Sequence, residues 1–302
     1  MVTIQRVLSP VDFSETSQHA IDHAIALARW YKASIAALHV QSPAFEPLPV
    51  QTSDDGVPDA ELTRVRAETA ALFEGACADG ISVDVLVDVG QPARQITERA
   101  ASLPADLIVM GTHGASGFEH LLLGSVTEKV LRKAPCPVLT VPPHAQSTST
   151  LPFRRLICAV DFSDSSLRAV DLAGSLAKES NALLTLLHVV EWPWHEPPAP
   201  EWRELPPEQA IALREFRRYT ETSATERLKT LISEAAPERH ETATCVVHGK
   251  SYVEILRVAA EERADLIVMG VRGRNAADLM IFGSTTNQVV RHATCPVVTL
   301  RQ

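Results

Sequence analysis

The chain contains the same motifs twice. RVLSPVDFSETS at 6–17 returns as RLICAVDFSDSS at 155–166, and LHV at 38–40 returns at 187–189, both 149 residues later. DLIVMGTHG at 106–114 returns as DLIVMGVRG at 265–273, and CPVLTV at 136–141 as CPVVTL at 295–300, now 159 residues later. The second copy therefore carries about ten extra residues between Val189 and Gly249. A repeat of this length is a whole domain, too long for one turn of a solenoid.

Between the copies, VPPHAQSTSTLP at 141–152 is rich in Pro, Ser and Thr and lacks apolar periodicity, which reads as a linker. We place the domains at 1–144 and 153–302, joined by 145–152. In the first copy, short Val/Ile/Leu-rich runs near 4–11, 34–40, 81–88, 106–110 and 137–141 read as strands of a parallel sheet covered on both faces. Helical patterns separate them. One runs from Ser14, with Ser14 or Thr16 as cap, to Tyr31; one runs from Ala60 to Ala78; a third opens at Pro92. This alternation implies a doubly wound α/β fold, five parallel strands per copy. Two Pro-rich stretches, 41–59 and 190–208, interrupt the pattern. The second holds Trp192, Trp194 and Trp202, as a lid or partner-binding loop, or as a surface loop packed back on the domain.

Each DLIVM strand runs into a glycine stretch with G-x2-G-x9-G-S spacing: Gly111, Gly114, Gly124 and Ser125, then Gly270, Gly273, Gly283 and Ser284. The filler differs (ASGFEHLLL against RNAADLMIF) while these four positions stay. In open α/β sheets the carboxyl ends of strands carry the ligand site. Glycine lets the main chain approach a ligand closely. The helix after Gly124 presents free N–H groups and the positive end of its dipole, and the hydroxyls of Ser125 and Thr127 are candidate further donors. The combination suits a polyphosphate. Asp12 and Asp161, ending the first strand of each copy, are placed to accept from a ribose hydroxyl or help hold a metal, while Ser14 and Ser163 are available to cap the helix.

Several chemistries are disfavoured. The formal charge is -9, against the basic face that nucleic acid requires. No apolar run approaches the roughly 20 residues that span a bilayer, and MVTIQRVLSPVDFS has no signal-peptide pattern. The five cysteines, without CxxC spacing, point away from disulfides and zinc and toward the cytoplasm; Cys136 and Cys295, in matching APCPV and ATCPV contexts, read as small buried residues at strand starts, with a redox thiol as the alternative. The phosphate-loop pattern GxxxxGK[ST] and the dinucleotide pattern GxGxxG are both absent. His19 and His23 lie four apart on the first helix, but Arg168 and Leu172 replace them in the second copy. They are expected to face solvent. His39 and His188, within LHV, are expected to be packed and hydrogen-bonded.

The VDFS turn, the LHV strand, the glycine stretch and the closing CPV strand together resemble the universal stress protein family in its tandem two-domain form, across nearly the whole chain. The glycine spacing is similar to that of its ATP-binding members. The resemblance implies a Rossmann-like fold of the adenine nucleotide alpha hydrolase-like kind, with one ATP per domain and Mg²⁺ held through the phosphates rather than by protein ligands. By that resemblance Asp12 lies near the ribose in the Pro10–Val11–Asp12 turn, Val40 meets the adenine, and Met110 and Gly111 lie beneath the nucleotide. His113, Gly114, Gly124, Ser125, Val126 and Thr127 flank the phosphates. The second-copy counterparts are Ala159, Val160, Asp161, Val189, Met269, Gly270, Arg272, Gly273, Gly283, Ser284, Thr285 and Thr286. Alanine for Pro10 and arginine for His113 imply unequal affinities. The resemblance also implies that the copies pair through 137–141 and 296–300 as a covalent pseudo-dimer, with homodimerisation open.

No catalytic set is recognisable, and the loop lacks a lysine to offset charge on a γ-phosphate. The expected role is an ATP-binding regulatory or stress-response protein with slow or no hydrolysis. Two alternatives stay open: an ATPase or nucleotidyl-transfer enzyme using the same pockets, and an interaction scaffold with a structural nucleotide.

Overall fold

The computed structural model describes residues 3–42, 59–113, 123–143, 145, 151, 153–191, 206–235, 241–271 and 283–301. In the first copy the order is β1 (Arg6–Val11), α1 (Glu15–Tyr31), β2 (Ser34–Gln41), α2 (Asp59–Ala71), α3 (Glu74–Ala78), β3 (Val83–Val89), α4 (Pro92–Ser102), β4 (Leu107–Gly111), α5 (Ser125–Lys133) and β5 (Val138–Val141). The second copy follows as β6 (Arg155–Ala159), α6 (Asp164–Ser180), β7 (Leu183–Val190), α7 (Pro207–Ala235), β8 (Thr242–His248), α8 (Ser251–Glu261), β9 (Leu266–Gly270), α9 (Ser284–His292) and β10 (Val297–Leu300).

The strands form one sheet in the order β3-β2-β1-β4-β5-β10-β9-β6-β7-β8. Within each copy all pairings are parallel. Where the copies meet, β5 and β10 are antiparallel, with Val298 opposite Leu139. Thr140 Oγ1 crosses this seam to donate to the Val297 carbonyl at 3.1 Å. Strand side chains alternate between two apolar layers. Val7, Ile35 and Val109 pack with α1 and Phe73 on one face; Leu8, Leu38 and Met110 pack with α4 and α5 on the other. The strand order reverses between β1 and β4, and again between β6 and β9, which opens a crevice at each carboxyl edge.

Helix α1 begins where Ser14 accepts from the Ser17 N–H, and it ends at Lys32 in the left-handed region. Helix α6 repeats this with Ser163 and Asn181. The single helix expected over 60–78 is two, because the chain turns at Phe73 (φ -114, ψ 9) and sinks that ring fully into the core. The extra residues of the second copy lengthen the corresponding helix, α7.

The expectation for His23 needs correcting: it is buried, with 1% exposure. It lies on the α1 ridge that continues through Leu27 to Tyr31, one step every four residues. Leu27 and Tyr31 line a small crevice with Phe153 and Leu176 of the second copy. That flank of α1 is thus covered, and the matching position in α6 is the apolar Leu172, packed on the core.

Candidate functional site

The crevice at the β1/β4 switch is an open cleft of about 150 Å³. Strand β1 and its turn contribute Pro10, Val11 and Asp12; β2 contributes Val40; β4 and the residues after it contribute Met110, Gly111 and His113; the start of α5 contributes Gly124, Ser125, Val126 and Thr127. Eleven of the twelve positions expected in this copy line the one cleft. The twelfth, Gly114, lies outside the described residues, as do Arg272 and Gly273 of the second copy and most of the Pro-rich stretches 41–59 and 190–208.

The turn after β1 aims the acid. Asp12 Oδ1 accepts from the Ser14 backbone N–H at 3.1 Å and from its hydroxyl at 2.6 Å. Asp161 does the same with Ser163, at 3.0 and 2.6 Å. One carboxylate oxygen therefore fixes the turn while the serine caps the helix. The residue after each aspartate, Phe13 or Phe162, has φ of 61° or 63°, a conformation that bulky side chains rarely adopt.

The glycines that end β4 and β9 leave room for the neighbouring chain, more tightly in the second copy. A Cβ on Gly111 would sit 3.2 Å from the carbonyl oxygens of Thr16 and His113, and one on Gly270 only 2.5 Å from Ser165 Oγ. A Cβ on Gly124 would meet the Thr112 carbonyl oxygen at 3.1 Å. Gly124 is the N-cap of α5 and brings no side-chain cap; Gly283 has the same role at α9. These helix starts thus offer main-chain N–H groups toward the cleft.

One expected donor is otherwise engaged. The Thr127 hydroxyl donates to the Gly111 carbonyl at 3.0 Å, and Thr286 donates to Gly270 at 2.9 Å. Both threonines are buried, so each hydroxyl ties its helix to the preceding strand and is not offered to a ligand. Ser125 and Ser284, at the exposed helix starts, keep theirs at the surface. His39 and His188 are packed as expected: Nδ1 faces the Val11 carbonyl at 2.9 Å and the Val160 carbonyl at 2.7 Å.

Sequence reasoning missed Ser17, Leu38, Pro92 and Ile96 as cleft-lining residues, and His39, expected only to be packed, lines the cleft as well. Two of these were findable: Leu38 shares a sheet face with Val40, and Ile96 lies one turn beyond Pro92. The copies differ here. Pro92 at the start of α4 has no N–H, whereas the Ser251 N–H that opens α8 donates to the Glu191 carboxylate at 2.7 Å. A carboxylate group therefore lies beside the position of the second copy that matches Pro92.

Cys136 and Cys295 precede β5 and β10. Burial, with Asp106 and Asp265 adding to it, pushes both thiols up to about 12. They are packing residues and poor nucleophiles. Among the described residues no helix is long and apolar enough to cross a membrane, and no cluster of metal-ligating side chains occurs.

The family model for the universal stress protein family matches residues 3–142 and again 152–301. The chain is 36% identical over 140 residues to universal stress protein MJ0531 of Methanocaldococcus jannaschii, a match covering 45% of this chain and 81% of that protein. It is 31% identical over 144 residues to universal stress protein YxiE of Bacillus subtilis, covering 45% and 97%. Among solved structures, a universal stress protein from Archaeoglobus fulgidus superposes along 98% of both chains, with a TM-score of 0.67 and 25% identity.

Proposed function

Because the chain belongs to the universal stress protein family, we propose that each of its two copies binds ATP and that nucleotide occupancy, rather than turnover, is the signal it carries in a regulatory or stress-response role. The observation that carries this reading is convergence. Asp12, Val40, Gly111 and the capless start of α5 come from four segments and line one cleft at the strand-order switch.

The chemistry fits the group. The Asp12 carboxylate is suited to accept from ribose hydroxyls, and Leu38, Val40 and Ile96 offer an apolar wall for a base. The N–H groups at Ser125 and Val126, with the helix dipole behind them, suit phosphate oxygens. Met269, Gly270, Gly283, Ser284, Thr285 and Thr286 repeat this set beside Ala159, Val160, Asp161 and Val189 in the second copy. Mg²⁺ arriving with the phosphates would offset their charge. The glycine stretches 111–124 and 270–283 carry no lysine to offset charge on a γ-phosphate, which favours slow hydrolysis. The β5–β10 ladder supports reading the chain as a covalent pair, and the free cysteines fit a reducing cytoplasm.

The test is to purify the protein, identify any co-purified nucleotide, titrate MgATP by calorimetry and time phosphate release. Two sites per chain with little turnover supports the reading. Absence of binding at both sites overturns it, and fast turnover abolished by Gly124→Ala and Gly283→Ala would replace it with an enzyme.

A further inference from the structure

Both copies hold an aromatic residue in a backbone conformation that glycine would adopt freely. Phe13 (φ 61°) and Phe162 (φ 63°) follow the aspartates of the two VDFS turns. Such outliers persist where the surroundings over-determine them, and they cluster at functional sites. The choice of phenylalanine over glycine, made twice, means the ring is in use.

The ring is used against a histidine. Phe13 lies 4.8 Å, centroid to centroid, from His39, and Phe162 lies 4.7 Å from His188. Each imidazole is also fixed to the residue just before the aspartate, with Nδ1 at hydrogen-bond distance from the Val11 or Val160 carbonyl. A carbonyl oxygen only accepts, so Nδ1–H is the donor. The two residues flanking the acid are thus both held by one side chain from the neighbouring strand. His39 itself lines the cleft with Asp12.

We propose that His39 and His188 are positioning residues: each locks the strained VDF turn from both sides and so aims the Asp12 or Asp161 carboxylate into its cleft. The effect on binding rests on the nucleotide reading above; the effect on the turn does not.

The experiment pairs calorimetry with amide exchange on the full chain. In the double variant His39→Leu/His188→Leu, which keeps volume and loses the Nδ1 donor, MgATP affinity is expected to fall about tenfold. The variant His39→Asn/His188→Asn restores a donor near the Nδ1 position and recovers part of that loss. Phe13→Gly, at an exposed ring, relieves the backbone strain yet removes the ring, so it weakens binding at the first site without lowering thermal stability. Wild-type affinity in the leucine variant, with the wild-type protein binding MgATP, overturns the proposal. Should the wild-type protein bind no nucleotide, the Ser14 and Ser163 amides, which donate to the aspartates, still decide it. Their hydrogen exchange accelerates in the leucine variant if the lock is real, and unchanged exchange overturns it.

Discussion

The hydroxyl of Tyr31, at the end of α1, donates to Glu179 Oε2 at 2.8 Å, and the two residues belong to different copies. The phenol is half-buried between the domains, and burial together with Glu179 raises its pKa far above the usual value. A hydrogen bond to a charged group in such a place contributes about 1.5–3 kcal/mol. Tyr31→Phe should destabilise the chain by that amount in urea unfolding. A double-mutant cycle with Glu179→Gln should assign most of it to the pair.

The glycines ending β4 and β9 should not tolerate alanine equally. Gly270→Ala drives a Cβ to 2.5 Å from Ser165 Oγ and 2.9 Å from the Ser165 carbonyl carbon, while Gly111→Ala meets its nearest atoms at 3.2 Å. We expect Gly270→Ala to cost roughly 1–3 kcal/mol and Gly111→Ala about 1 kcal/mol or less. With one ATP bound per copy as proposed, calorimetric stoichiometry should show the second site lost in the former and the first intact.

Burial holds the His23 imidazole below its ordinary pKa, against the upward pulls of the His19 carbonyl and Asp22. In the unfolded chain this group titrates at about 6.5. As pH falls through that value the unfolded chain takes up a proton that the folded chain refuses. Its contribution to stability is therefore complete above the unfolded pKa and is lost as pH falls to the folded one. His248 shares the direction, mainly through burial, with Glu221 opposing. Unfolding free energies measured between about pH 5 and pH 8 should decline toward acid. His23→Leu, which copies Leu172, should flatten that decline.

Thiol chemistry should single out one cysteine. Cys77 is exposed, whereas burial raises the pKa of Cys136, Cys158, Cys245 and Cys295. A chromogenic disulfide reagent at about pH 8 should show one fast thiol and four slow ones. Cys77→Ser should remove the fast phase.

The parts of this molecule that follow a period or a repeat are readable before folding. The strand pattern of LIVM before Gly111 and Gly270, the cap at Ser14, and the helix start at Ser125 each depend on local chemistry, and each holds in the structure. The departures depend on tertiary contacts. Nothing between Ala71 and Glu74 announces a helix break; the core's demand for the Phe73 ring makes it. The Thr127 hydroxyl is an available donor in the sequence, and only the approach of α5 to the end of β4 reveals that Gly111 takes it. His23 was misplaced although Leu172, at the matching position, had already marked that helix face as apolar. The positive φ at Phe13 had no local signal, because glycine or asparagine is the usual occupant.

The antiparallel seam between β5 and β10 joins two strands of four residues each. Partners tethered in one chain meet at a fixed effective concentration, so dilution does not part them. Neither copy then needs a face that recognises its own duplicate. A change in one half is no longer imposed on the other by symmetry. Proline against alanine at 10 and 159, and proline against serine at 92 and 251, are the traces such freedom leaves; with ATP bound as proposed, the two copies would answer different concentrations of it.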